Sequence, residues 1–195
     1  MKRILLAALL SVAGLNANAI VLTFDDIDEY YPGLEHEPVP TPYHGFQFND
    51  PSHWINTVDS PYNYGAHSGK FTLFNLFGGP IAVMMQDRSD FTLGGLWAQT
   101  WDRQADRTGF IRGYQDEVLV FSSRVDLTSS FRYFSGYAGK LDSLVLDFGD
   151  YFLVDDLELT GPAVAAIPEP GSLALLGLGL AGFAAARRRR RVRQA

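Results

Sequence analysis

Two aspartate doublets stand near the ends of the central chain. Asp25-Asp26 follows Thr23-Phe24, and Asp155-Asp156 follows Leu153-Val154. If the first and last strands of a β fold pair, the four carboxylates converge, and hard oxygen donors in that number suit Ca2+, which tolerates irregular geometry. Neighbouring side chains on a regular strand point to opposite faces, so such a site needs strand ends or bulges. The alternative is that one aspartate of each doublet faces solvent while the other bonds loop amides. No D-x-D-x-D-G loop is present. The histidines are His36, His44, His53 and His67, all in a Pro-, Tyr- and Asn-rich region. Imidazole clusters bind zinc. Here no pair has the i, i+4 helical spacing and no H-E-x-x-H occurs, so they read as polar loop residues.

The aromatic residues suggest a different chemistry. A flat ring covers the apolar face of a sugar while Asp, Asn and Arg bond its hydroxyls. Tyr62, Tyr64 and Trp101 are candidates, with Asp102 and Arg103 beside the tryptophan. Trp101 ends an apolar segment and faces a polar one, which makes it the leading candidate. Trp54 is a further one, and Trp97 reads as core. Catalytic patterns are lacking: neither G-x-S-x-G, nor a Walker sequence, nor a glycine-rich dinucleotide turn occurs. The reading is therefore of a non-enzymatic protein. The alternative is a secreted polysaccharide-acting hydrolase, because a glycosidase needs only two carboxylates about 5 to 9.5 Å apart.

These residues must be positioned by strands. Short runs rich in β-branched and aromatic residues recur from Val21 to Leu159, broken by Gly78-Gly79-Pro80, Gln115-Asp116, Ala138-Gly139-Lys140 and Gly149-Asp150. No amphipathic helical window rivals them. The expected fold is all-β, an antiparallel β-sandwich of the jelly-roll kind, with an up-and-down barrel as the alternative. Strand alternation places Phe91, Leu93, Trp97 and Trp101 on one face. Residues 110–121 form one expected hairpin and residues 144–157 another.

Composition sets the limits. The chain has 195 residues, no cysteine and a formal charge of -6. Eight of its 16 cations lie at the two ends, and 21 of its 22 anions lie between residues 20 and 167. A body so acidic repels phosphate backbones, which excludes nucleic acid as a partner. The absence of cysteine excludes disulfides, thiolate metal sites and a Cys nucleophile.

The ends read as addresses. Lys2 and Arg3 precede an apolar run, and Ala17-Asn18-Ala19 is a small-x-small cleavage site, so residues 1–19 read as a secretory signal peptide cut by signal peptidase. At the other end, Gly171 to Ala186 is small and apolar and is closed by Arg187, Arg188, Arg189, Arg190 and Arg191. A helix of that length spans about 24 Å at ~1.5 Å per residue, short for a hydrocarbon core of ~30 Å but within reach of bilayer thinning and Arg snorkelling. The arginines keep this end cytoplasmic and put the body on the outer side of the inner membrane.

Ile167-Pro168-Glu169-Pro170 stands immediately before that run. The tripeptide, the short Gly/Ala/Leu segment and the terminal Arg cluster, in that order, resemble the PEP-CTERM sorting signal of Gram-negative bacteria. The resemblance implies recognition of Pro168, Glu169 and Pro170 by exosortase, a membrane-embedded cysteine protease or transpeptidase, and a link to exopolysaccharide. Two prolines fix φ and remove donors, so the segment cannot continue a helix and is extended. From Phe91 to Leu159 the strand pattern is also similar to exported jelly-roll domains that look like galactose-binding-type carbohydrate-binding modules.

The expected organisation is a signal peptide (1–19), an extracytoplasmic β-sandwich (20–162) and a sorting region (163–195). The chain reads as an exported surface or matrix protein with a structural, adhesive or carbohydrate-binding role in biofilm or exopolysaccharide.

Overall fold

The computed structural model describes residues 17–29, 33–59, 61–101 and 106–162. Residues 1–16 of the expected signal peptide and the expected helix over 171–186 lie outside these, as do Asp102, Arg103, the Pro-Glu-Pro element and the Arg cluster; Ala17-Asn18-Ala19, the expected cleavage site, is described and begins a strand. Among the described residues no helix is long and apolar enough to cross a membrane.

The described residues form twelve strands: β1 (Ala17–Leu22), β2 (His36–Pro38), β3 (Phe46–Phe48), β4 (Ser52–Asn56), β5 (Phe71–Asn75), β6 (Ile81–Met85), β7 (Phe91–Thr100), β8 (Arg107–Gln115), β9 (Val118–Leu127), β10 (Arg132–Leu141), β11 (Ser143–Asp147) and β12 (Phe152–Pro162). They form two antiparallel sheets. The first has the order β10-β7-β12-β5-β4-β2, with β1 also on β12; the second has the order β3-β6-β11-β8-β9. The fold is an antiparallel β-sandwich, as expected. Only β4–β5 and β8–β9 pair strands adjacent in sequence, so the path is not that of an up-and-down barrel.

Alternation explains the two layers. In β6 and β11 every second residue is buried, and Ile81, Val83, Leu144 and Leu146 meet Trp54, Leu73, Leu96 and Val154 of the first sheet in one core. Each fully buried side chain of this size contributes roughly 1.5–3 kcal/mol. β5 departs from the pattern: Phe71, Thr72, Leu73, Phe74 and Asn75 are all buried. A strand covered on both faces needs a second layer of cover outside the sandwich, and the segment between β4 and β5 supplies it.

The expected hairpin over 110–121 is β8–β9, with Asp116 and Glu117 at φ 50° and 65° in its turn. The expected hairpin over 144–157 does not form. β11 pairs with β6 and β8, while β12 pairs with β1, β5 and β7, so Gly149-Asp150 is a corner that carries the chain from one sheet to the other. The phase of β7 also differs from simple alternation. Glu158 faces Gly95 and the next residue, Leu159, faces Leu93, so the ladder slips at Gly94. Phe91, Leu93, Leu96 and Ala98 then point into the core, whereas Trp97 points outward. A β-carbon on Gly95 would lie 2.2 Å from the Tyr133 hydroxyl, so any larger residue there would have to displace that exposed ring.

Candidate functional site

The site is built on the outer face of the first sheet, where β12 is irregular. Asp155 faces Trp97, yet Glu158 faces Gly95, so β12 carries one extra residue between them; Asp156, at φ 44°, lies within this bulge. The bulge lets both aspartates reach the segment leading into β5. Asp155 is fully buried, and its Oδ2 accepts the backbone N–H groups of His67 and Ser68 at 2.8 and 2.9 Å. Its Oδ1 accepts the N–H of Asp156 at 2.7 Å. Burial pushes the Asp155 carboxyl up to about 7, against the downward pull of the Ser68 N–H and with further upward push from the Asp156 charge. Asp156 bonds the His67 Nδ1 at 2.5 Å and accepts the Ser68 hydroxyl at 2.7 Å.

The first doublet works on the same segment from its other end. Asp25 Oδ1 accepts the N–H groups of Lys70 and Phe71 at 2.7 and 3.2 Å. Gly69 lies between, at φ 51°, and a β-carbon there would fall 1.9 Å from Asp25 Oδ2. Asp26 turns elsewhere, accepting the Tyr43 hydroxyl and bonding His44 Nε2 at 2.7 Å. Three of the four carboxylates thus meet on residues 67–71, Asp155 and Asp25 at backbone amides and Asp156 at the His67 and Ser68 side chains, with Asp26 apart from them. Among the described residues no group of three or more His, Asp or Glu side chains is placed to hold a metal ion.

Pinned in this way, the β4–β5 segment lays its tyrosines on the sheet. Asn56 Oδ1 accepts the N–H groups of Val58 and Asp59 and starts the turn, Gly65 N–H bonds the Thr57 carbonyl at 3.0 Å, and Gln99 Nε2 donates to the Tyr64 carbonyl at 3.1 Å. Tyr62, Tyr64 and Trp101 come together. Tyr64 meets Trp101 edge-on with ring centroids 4.5 Å apart, Tyr62 lies 5.6 Å from it, and Trp101 itself stacks on Phe74 at 4.3 Å. All three are half-buried around the buried Ile55, Phe74 and Leu153. Trp54 is fully buried in the sandwich core and presents no face to solvent.

Two contacts escaped the sequence reading. Tyr151 packs on Phe74 at 5.8 Å and belongs to the same patch. His67, read as a polar loop residue, stacks on the outward face of Trp97. The detectable signal was the unbroken apolar run Phe152-Leu153-Val154: a strand apolar at successive positions is covered on both faces. A separate cleft of ≈ 770 Å³ beside the β8–β9 turn is lined by Arg88, Tyr114, Asp116, Glu117 and Asp142. Its one aromatic ring makes it a lesser platform for a sugar than the patch around Trp101.

The stretch after β12 decides how the body is delivered. Residues 166–191 carry the PEP-CTERM protein-sorting motif. The PEP-CTERM match covers the Pro-Glu-Pro element, the apolar segment and the arginines through Arg191. A PEP-CTERM motif implies export and a membrane-anchored precursor that exosortase processes.

The full sequence matches no curated protein. Among solved structures, the chain is similar to the CBM22-1 xylan-binding domain of Paenibacillus barcinonensis Xyn10C, at 13% identity and a TM-score of 0.39, over 68% of this chain and 95% of that one. It is similar to the CBM22-1-CBM22-2 tandem domain of the same protein at 13% identity and a TM-score of 0.44, over 82% and 49% of the two chains. A third is TmCBM61 in complex with beta-1,4-galactotriose, at 11% identity and a TM-score of 0.33, over 58% and 86%. The likeness is one of architecture and carries no ligand over.

Proposed function

We propose that this chain is a non-enzymatic surface or matrix protein that binds extracellular polysaccharide through the aromatic patch around Trp101, after removal of residues 1–19 by signal peptidase and processing of the tail by exosortase. The observation that carries the reading is the patch itself: Tyr62, Tyr64, Trp101 and Tyr151 lie half-open to solvent on the outside of a sheet whose core is already complete. Such rings match the apolar faces of pyranoses, and aromatic side chains bury large areas at little entropic cost. Asp102 and Arg103 follow Trp101 in the chain and supply hydroxyl partners. The acidic body disfavours anionic polymers, so a neutral glycan is the better ligand class. In this reading the role is structural or adhesive, in exopolysaccharide or biofilm, and the sorting motif supports delivery to that location.

The test is affinity electrophoresis of the mature protein in gels containing neutral polysaccharides or the producing strain's own exopolysaccharide. Retardation by a polysaccharide that is lost in Trp101→Ala, with the circular dichroism spectrum unchanged, supports the reading. Equal mobility of wild type and variant in every gel overturns it. Release of reducing ends, abolished by one carboxylate substitution, replaces it with a hydrolase.

A further inference from the structure

At the β2 edge of the first sheet, two imidazoles stand on neighbouring strands. His36 lies opposite Ile55 and His53 opposite Pro38, which makes the two histidines diagonal neighbours on the outer face. Diagonal positions hold β-carbons roughly 7–8 Å apart or slightly less, within reach of long side chains. The ring centroids are 6.1 Å apart and the planes tilt by 51°.

Each ring keeps its Nδ1 buried, and among the described residues neither Nδ1 has a hydrogen-bond partner. A buried, unsatisfied polar atom costs about 1–3 kcal/mol, and where a native structure holds one, an ion or ordered water is the first explanation. An imidazole nitrogen with no hydrogen-bond partner is a ready donor to a metal ion.

We propose that His36 and His53 form a two-imidazole chelate for a divalent transition-metal ion of the Cu2+, Ni2+ or Zn2+ class, with water completing its coordination. Two imidazoles on one tetrahedral ion, each nitrogen ~2.0–2.1 Å from it, place their ring centres roughly 5 Å apart, so a shift of about an ångström from the present separation suffices. Nitrogen donors select against Ca2+ and Mg2+, and of the three ions Cu2+ binds most strongly to such a set. The site is distinct from the aspartate doublets.

The experiment is a Cu2+ titration of the mature protein near neutral pH, followed by calorimetry and by electron paramagnetic resonance. One Cu2+ per chain is expected, with superhyperfine splitting from two equatorial nitrogens. His36→Ala and His53→Ala should each lower the affinity by ~10-fold or more, the effect of removing one donor from a chelate, while His44→Ala leaves it unchanged. The proposal is overturned by an absence of saturable binding, by affinity unaltered in both variants, or by a wild-type spectrum without two nitrogen couplings. The spectrum needs no variant, so it decides the matter even if a substitution prevents folding.

Discussion

His67 lies flat on Trp97, with ring centroids 3.6 Å apart and planes 14° from parallel, while its Nδ1 is held 2.5 Å from Asp156 Oδ2. The imidazole is thereby fixed in two perpendicular directions, by a ring face and by a carboxylate. The contact joins two parts of the chain 89 residues apart, so it forms only when the β4–β5 segment has docked on the finished sheet. Asp156→Ala should release that segment. Hydrogen exchange at the amides of residues 65–68 then accelerates, and stability falls by about 1–3 kcal/mol for the lost charged hydrogen bonds; exchange rates equal to wild type would contradict the clamp.

Asp155 gives the protein a pH dependence of definite sign. Its carboxyl is raised from 3.8 to about 7 in the folded state. The folded protein therefore holds the proton more tightly than the unfolded chain, and the stabilisation is fully present below about pH 4 and disappears as pH rises through about 7. Urea unfolding at pH 5 and pH 8 should show a drop in stability on the order of a few kcal/mol at most. Asp155→Asn cannot ionise, and the difference between the two pH values should shrink in it. An identical drop in the variant would locate the titration elsewhere.

Gly69 and Asp25 form a coupled pair. Gly69→Ala meets both a positive φ and the Asp25 carboxylate, and should cost more than about 1 kcal/mol. In an Asp25→Ala background the collision is gone and only the backbone strain remains. A double-mutant cycle by thermal unfolding should accordingly give a smaller penalty for the glycine substitution in that background, and additivity would refute the coupling.

The tryptophans separate stability from binding. Trp54→Ala empties a fully buried site in the core and should cost about 3–5 kcal/mol. Trp101→Ala removes a half-exposed ring and should destabilise the protein by less while removing polysaccharide retention. Melting temperature and gel mobility measured on both variants test the division; a Trp101 variant as unstable as the Trp54 variant would make that ring a core residue.

The strands were legible wherever apolar residues recur over a pleated surface, from Phe46 to Leu159. What escaped was governed by contacts distant in sequence. β2 is three residues long and contains a proline, so only its pairing with β4 marks it as a strand. Gly149-Asp150 has the composition of a hairpin turn, and the choice between a hairpin and a corner is made by which sheet accepts the next strand. Trp97 was assigned to the wrong face because Gly94 and the β12 bulge shift the phase, and glycine signals such a slip without fixing its direction. The doublets were recognisable as special, and a bulge is indeed present at the second. The partners of Asp25 and Asp155, the amides of residues 67, 68, 70 and 71, carry no side-chain signature.

One consequence concerns the trimmed amino terminus. β1 lies along the end of β12, with Ala17 opposite Pro162 and Leu22 opposite Leu157. Of its paired residues, Ile20, Val21 and Leu22 lie beyond the expected cleavage point, and Leu22 is buried in the core. A chain cut after Ala19 therefore keeps the inner half of that ladder and its core anchor.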